Sequence, residues 1–351
     1  MTNTTMSRSS KAKKRPTIRD VAALAGVSKS LVSLVYSSPE VVSEHRKARV
    51  LEAATKLGFS PNFLARSLAA DSGTFVGILV ADLHNPLFAE IVDHVRAELE
   101  ARGQYGFMTS AMLPDAQGNQ VLDRRTVNAL IDLRPKSVLV VGSIPTIHEL
   151  SALPENVQIV VASAIPKGLN RASTVRADDA LGMRLVIEHL FNNGHTRIAH
   201  ISAKEGNVSI ARREAYVNAM TEFGLAKYIS IEECDTHYER SGFEAATKLI
   251  ESKSAPTAIT AYNDLLAIGV QEAVLGSTNK SIAVVGYDNT FLSNLKQISL
   301  SSVDPGNMAI AQKAAQLLTQ ENLSTPKLGT THLLEPRLIV RNSSKAKLKV
   351  K

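Results

Sequence analysis

Thr17-Ile18-Arg19-Asp20-Val21-Ala22-Ala23-Leu24-Ala25-Gly26-Val27-Ser28-Lys29-Ser30-Leu31-Val32-Ser33-Leu34-Val35-Tyr36 reads as two short helices joined by a tight turn centred on Gly26. Thr17 with Asp20 three residues on is a capping-box pattern, and Ser28 is placed to cap a second helix. Ala22, Ala25, Val27, Leu31, Val32 and Val35 fall at helical spacing, so each helix has an apolar face to bury against the other. Gly26 stands where the first helix must stop, at a position that favours a left-handed backbone. The outer face of the second helix then carries Lys29, Ser30, Ser33 and Leu34. The pattern is that of a helix-turn-helix, whose second helix enters the DNA major groove while its N-terminus favours a phosphate. A plain helical hairpin has the same periodicity, and charge separates the two readings.

Residues 1–70 contain 12 Lys or Arg against 4 Asp or Glu, a net of +8, whereas the whole chain is +7. The basic character therefore belongs to the N-terminal segment, as expected of a surface that displaces counterions from phosphates. A third helix is predicted over Ser43–Leu57, capped by Ser43 and stopped by Gly58, with Val50, Leu51, Ala54 and Leu57 as its buried stripe. Asn62-Phe63-Leu64-Ala65-Arg66-Ser67-Leu68-Ala69-Ala70 follows Pro61 as about two helical turns with no second face to bury, a segment expected to fold only on DNA.

From Phe75 onward the pattern alternates apolar runs with amphipathic stretches. Strands are predicted at Val76–Ala81, Tyr105–Thr109, Val138–Val141, Gln158–Ala162, Arg197–Ile201, Ala258–Tyr262 and Ile282–Val285, with helices between them. Such β-branched runs mark parallel sheets covered on both faces, and they form two series, before and after Val175. The expected fold is an all-α helix-turn-helix domain plus an α/β domain of two doubly wound lobes, with ligand chemistry at the carboxyl ends of the strands. A cleft between lobes is a natural hinge-closing site for a small molecule.

The length, 351 residues, suits a small domain plus a larger one. The single cysteine, Cys234, leaves no intrachain disulfide and no cysteine zinc site, and neither metal nor cofactor is expected. There is no signal-peptide pattern and no apolar run of about 18 residues, so a cytoplasmic protein without a membrane partner is expected. No Gly-x-Gly-x-x-Gly, phosphate-binding loop, Gly-x-Ser-x-Gly elbow or His-Glu-x-x-His is present, which argues against an enzyme. The other rival, a transported-solute receptor, has no use for the basic three-helix segment.

Thr17–Ala22, Ala25–Ser28, Val32-Ser33, Ser60–Asn62 and Leu64–Leu68 together resemble the lactose-repressor family of bacterial transcription regulators. The likeness continues through Gly77–Val80, Asn85-Pro86, Gly194–Ala199, Asn263-Asp264, Val284–Asp288 and Pro336–Leu338 and spans nearly the whole chain. It implies a homodimer on a near-palindromic double-stranded operator, with Thr17, Ser28, Lys29, Ser30, Ser33 and Leu34 at the major groove. It further implies Asn62, Ala65, Arg66 and Leu68 at the minor groove, where Leu68 wedges between base pairs. Leu34 stands where many members have arginine, and Ser37 where asparagine is common. A leucine reads by apolar contact, for example with a thymine methyl, so the operator should differ from the family's usual one.

The large domain resembles the family's effector domain, shared with periplasmic sugar-binding proteins, whose chain crosses between lobes three times. The crossings are expected near Val175, Val303 and His332. The resemblance points to Arg212 as a ligand-binding arginine, with Arg213 as its rival by a one-residue shift. Asn263, Asp264 and Asp288 follow strand ends, and a charged set of this kind hydrogen-bonds several hydroxyls of a polyol at once. Phe88, His237 and Tyr238 are candidates for a flat face against a sugar ring, and Ser163 lies at a further strand end. Ser163-Ala164 replaces an Asp-Arg pair common in the family and Trp is absent, which leaves a non-sugar metabolite as the alternative effector.

The expected organisation is a basic tail at 1–15, helix-turn-helix domain at 16–60, hinge helix and linker at 61–73, and effector and dimerisation domain at 74–341. Within it the first lobe takes 74–175 and 304–331 and the second 176–303 and 332–341, with a basic tail at 342–351. That tail has no leucine heptads, so no tetramerising coiled coil is expected.

Overall fold

The computed structural model describes residues 16–60, 75–114, 120–278, 281–320 and 328–345. The chain divides into two compact units at residues 70 and 71.

In the first unit, α1 (Ile18–Ala25), α2 (Lys29–Ser37) and α3 (Glu44–Leu57) enclose a small core of Val21, Ala22, Ala25, Val32, Val35, Val50, Ala53 and Ala54. The Thr17 backbone N–H and hydroxyl both donate to the Asp20 carboxylate, at 2.7 and 2.8 Å. Ser28 accepts the Leu31 N–H at 3.2 Å. Gly26 (φ 62°) and Gly58 (φ 63°) end α1 and α3 in the same way, the following N–H folding back to the carbonyl five residues earlier. Leu51, expected in the buried stripe, is instead exposed, because it lies about 100° round the helix from Val50. Arg49, although exposed, reaches over to the Ala25 carbonyl and donates to it at 2.6 Å, bracing the turn from the third helix.

The second unit contains two six-stranded sheets. In the first half of the chain come β1 (Phe75–Val80), α4 (Pro86–Ala101), β2 (Tyr105–Ser110), β3 (Met112–Pro114), β4 (Gln120–Leu122), α5 (Arg124–Asp132), β5 (Ser137–Val141), β6 (Gln158–Ala162) and β7 (Ser173–Ala177). The second half runs α6 (Asp179–Asn192), β8 (Ile198–Ala203), α7 (Asn207–Glu222), β9 (Ser230–Cys234), α8 (Glu239–Glu251), β10 (Ala258–Ala261), α9 (Asp264–Gly276), β11 (Ala283–Tyr287) and β12 (Ser301–Asp304). It ends with α10 (Asn307–Thr319), β13 (Thr331–Leu334), β14 (Arg337–Ile339) and α11 (Asn342–Lys345).

The first sheet has the order β13-β7-β6-β5-β1-β2 and is wholly parallel. The second, β14-β12-β11-β10-β8-β9, is parallel except where β14 runs antiparallel to β12. Both bury their central strands completely, which is why those strands read as unbroken apolar runs. β9 went unpredicted because Ser-Ile-Glu-Glu-Cys is a half-exposed edge strand with no such run.

The chain passes from the first sheet to the second between β7 and α6, returns between β12 and α10, and passes over again between β13 and β14. His332, expected in the second lobe, is therefore in the first, because Thr331–Leu334 pairs with β7. Arg176 and Ala177 likewise belong to the first sheet and Asp304 to the second. Asn342–Lys345 is no free tail: Ser343 donates to the Val284 carbonyl at 2.6 Å and Ser344 to the Ser301 hydroxyl at 2.7 Å. No helix among the described residues is long and apolar enough to cross a membrane.

Candidate functional site: a recognition helix and an interlobe cleft

On the small unit, Thr17, Ser28, Lys29, Ser30 and Ser33 are exposed. Thr17 caps α1, while the other four lie on or at the cap of the N-terminal half of α2, where free backbone N–H groups already favour a phosphate. Leu34 is half-buried and rests against the three-helix core, so less of its side chain is free to meet a base than the sequence suggested. Asn62, Ala65, Arg66 and Leu68 lie outside the described residues.

On the large unit, the carboxyl ends of the two parallel sheets bring most of the remaining candidates together. Arg212, on α7, is 7% exposed. Its Nε donates to Asp179 Oδ1 at 2.9 Å, and its NH1 to the Tyr262 carbonyl at 2.6 Å and to Asp288 Oδ1 at 3.3 Å. The guanidinium lies over the Tyr287 ring, 3.5 Å from its centroid. Burial pulls its pKa down, but Asp179 and Asp288 outweigh that and keep it firmly charged. Arg213, one residue on, faces outward and pairs with Glu233. The helical period thus decides between the two arginines.

Asp288 sits at the end of β11 in a left-handed turn, with φ 108° there and 47° at Asn289. Burial raises its pKa to about 6 against the opposing pull of Arg212. Asn85, which belongs to the other lobe and caps α4, stands near enough to pull that pKa down slightly. Asp288 therefore faces the cleft from one wall while Asn85 meets it from the other.

Asp264 does not face the cleft. Its carboxylate accepts the Thr290 N–H at 2.7 Å, the Thr290 hydroxyl at 3.0 Å and the Ser302 hydroxyl at 2.5 Å. Burial, followed by repulsion from Asp288, raises its pKa to about 7. The direct ligand contact expected of it gives way to fixing the strained turn that presents Asp288. Asn263 is also engaged at both ends: Oδ1 caps α9 through the Leu266 N–H at 2.9 Å, and Nδ2 donates to the His237 carbonyl at 3.1 Å.

His237 approaches Asp82 of the opposite lobe, Nε2 to Oδ2 at 3.4 Å, so its ring is edge-on to a carboxylate rather than an open apolar face. Phe88 packs partly on the first lobe's core, its ring so close to Gly142 that a Cβ there would lie 2.6 Å away. Ser163, at the end of β6, has φ 54°, and its N–H donates to the Val175 carbonyl at 2.9 Å. Sequence reasoning missed Asp82, Asn85 and Asp179 as parts of this site. Asp82 and Asn85 follow a strand end, the one signal that marks them, whereas Asp179 opens α6 and its sequence position carries no such signal.

Residues 17–62 match the model for bacterial regulatory proteins of the lacI family, and residues 187–344 that for a periplasmic binding protein-like domain. Catabolite control protein A of Priestia megaterium is 30% identical over 311 residues, 87% of this chain and 92% of the relative. A lac repressor dimer bound to operator and an anti-inducer superposes with a TM-score of 0.79 over 95% of this chain and all of the other, at 22% identity. The transcriptional regulator CelR in complex with cellobiose gives 0.66 over 94% of this chain and all of the other, at 24% identity. With the recognition helix, the two-sheet effector domain and these likenesses together, the chain belongs to the lacI family of bacterial regulatory proteins and is a DNA-binding transcription regulator.

Proposed function

We propose that this regulator is a cytoplasmic, homodimeric repressor of carbohydrate-utilisation genes, released or engaged by a sugar bound between the two lobes. The observation that carries the sugar reading is the Asp179–Arg212–Asp288 cluster met by Asn85. Paired, oriented charged groups and an amide at one point of a cleft satisfy several hydroxyls of a polyol simultaneously. Asp288 and Arg212 are the ligand contacts in this reading, Phe88 and Ser163 line the opposite wall, and Asp264 and Asn263 hold the second wall in shape. CelR, solved with cellobiose, supports a sugar in such a fold.

Self-association is supported by two exposed apolar strips. Tyr105, Phe107 and Met108 on edge strand β2 continue into Leu113 and Val121, and Leu275, Phe291 and Leu295 lie on the second lobe. Two-fold symmetry then calls for a near-palindromic operator read by Lys29, Ser30 and Ser33, with Leu34 contributing an apolar contact and Leu68 the minor-groove wedge.

Two measurements test this reading. A thermal-shift panel of mono- and disaccharides, followed by calorimetry on the best hit, should show binding that Asp288→Asn weakens at least tenfold. Binding that is indifferent to that change removes Asp288 from the site. Selection from random duplexes should return a palindrome, and Leu68→Ala should weaken its footprint while sugar binding persists.

A further inference from the structure

Asp82 lies in the loop after β1, on the first lobe, with its side chain only 9% exposed. Its Oδ1 accepts the His84 N–H at 2.8 Å, which fixes the carboxylate's direction. From the second lobe, the Tyr238 hydroxyl donates to Oδ2 at 3.1 Å, and His237 Nε2 stands 3.4 Å from the same oxygen. The loop that brings these two rings is itself anchored. Asn263 holds the His237 carbonyl at 3.1 Å, the Thr236 and Ser241 hydroxyls lie 2.7 Å apart, and the rings of His237 and Tyr238 contact each other at 4.6 Å. His84 closes the outer side with its ring 6.2 Å from that of Tyr238. One carboxylate is thus met from across the cleft by two side chains on a braced loop, and none of them belongs to the Arg212 cluster.

We infer that Asp82, Tyr238 and His237 form an interlobe latch: positioning residues that hold the two walls of the effector cleft at binding distance without help from the effector. Of the other side-chain hydrogen bonds between the lobes, Arg176 to Asp179 at 2.7 Å spans three residues at the crossing itself, where chain continuity already fixes the separation, and Asn207 Nδ2 donates to the Ile165 carbonyl at 3.0 Å. A charge-assisted bond shielded from solvent outweighs a neutral surface contact of the Asn207 kind, so the latch dominates the ligand-free balance between open and closed. An effector then binds a cleft whose competent form is already populated, and weakening the latch lowers its apparent affinity by the lost fraction.

The inference rests on the cleft being the effector site, but its test uses no effector. Spin labels on Ser143→Cys and Glu205→Cys, both exposed at the strand ends of opposite lobes, report the lobe separation in the full-length ligand-free protein by double electron–electron resonance. Cys234→Ser removes the native thiol. Tyr238→Phe and Asp82→Asn should each broaden the distribution toward longer distances, raising the open fraction about tenfold. The double variant should open no further than Asp82→Asn alone, because the Tyr238 hydroxyl acts only through that carboxylate. Circular dichroism melts distinguish a latch from a folding defect, since a latch leaves the melting transition nearly in place. Unchanged separations in both single variants, or additive opening in the double, overturn the inference. A sugar that binds despite such a result would leave the effector reading standing, so the two fail separately.

Discussion

Replacing Arg212 by methionine tests the electrostatic logic of the cleft most directly. The guanidinium is buried between Asp179 at 2.9 Å and Asp288 at 3.3 Å, and it also satisfies the Tyr262 carbonyl at 2.6 Å. Methionine fills most of the volume but leaves Asp288 buried without a cation, while Asp179 keeps only its bond to Arg176 at 2.7 Å. Removing one partner from a buried ion pair costs about 3–5 kcal/mol. For a domain of this size that is a fall of roughly 2 °C per kcal/mol, or about 6–10 °C. The loss must depend on pH. Asp288 already has its pKa raised to about 6 by burial, with Arg212 pulling it down, and without Arg212 it must rise further. A carboxyl whose folded pKa lies above its unfolded value supports the fold when protonated, and that support is lost as pH rises through the folded pKa. The deficit of Arg212→Met relative to wild type should therefore be largest near pH 8 and shrink toward pH 5. Adding Asp288→Asn should recover part of it at pH 8. The readout is the melting transition by circular dichroism at both pH values. A deficit below about 1 kcal/mol, or one equal at both pH values, would refute the claim that Arg212 neutralises a buried carboxylate pair.

Three further outcomes are expected. Asp264 has its pKa raised to about 7, so its own contribution makes the wild type lose stability from about pH 4 to pH 7; urea melts of Asp264→Asn should lack that slope, and an identical slope would place the titration elsewhere. Gly269 lets α9 approach α8 so closely that a Cβ would lie 1.8 Å from the Glu239 carbonyl oxygen, and Gly269→Ala should cost about 3 kcal/mol by forcing the helices apart. Full stability in that variant would mean that the helices have slack. Arg49→Met removes the bond to the Ala25 carbonyl and should destabilise the three-helix unit by about 1.5–3 kcal/mol, read as faster hydrogen exchange of α1 amides. Exchange at the wild-type rate would show that the turn holds without it.

The helix-turn-helix was legible because every signal in it is local. Thr17, Gly26, Ser28 and Gly58 set starts and stops through their own backbone and nearest neighbours, and the buried faces follow from a 3.6-residue period. The central strands were legible for a related reason, since burial on both faces requires an unbroken apolar run. The edge strand β9 escapes that requirement, and β7, though interior and buried, is built of Ser-Thr-Val-Arg-Ala, so neither carried a comparable mark. Periodicity places Arg49 off the core, yet its length carries the guanidinium back over the Gly26 turn.

Within the cleft, the sequence by itself determined which chemistry gathers at the strand ends: carboxylates and amides following β1, β10 and β11, and an arginine on the helix after β8. Only the tertiary structure decided what each one faces. Asp264 and Asp288 are alike in kind and in their place after a strand, but one is turned to fix Thr290 and Ser302 while the other pairs with Arg212 and stands toward Asn85 of the other lobe. Asp82 and Tyr238 are 156 residues apart, and no local rule relates them. Secondary structure comes from interactions within a few residues, which a sequence displays. Pairings between lobes depend on how two separately folded sheets are oriented, and that orientation is a property of the whole packed domain.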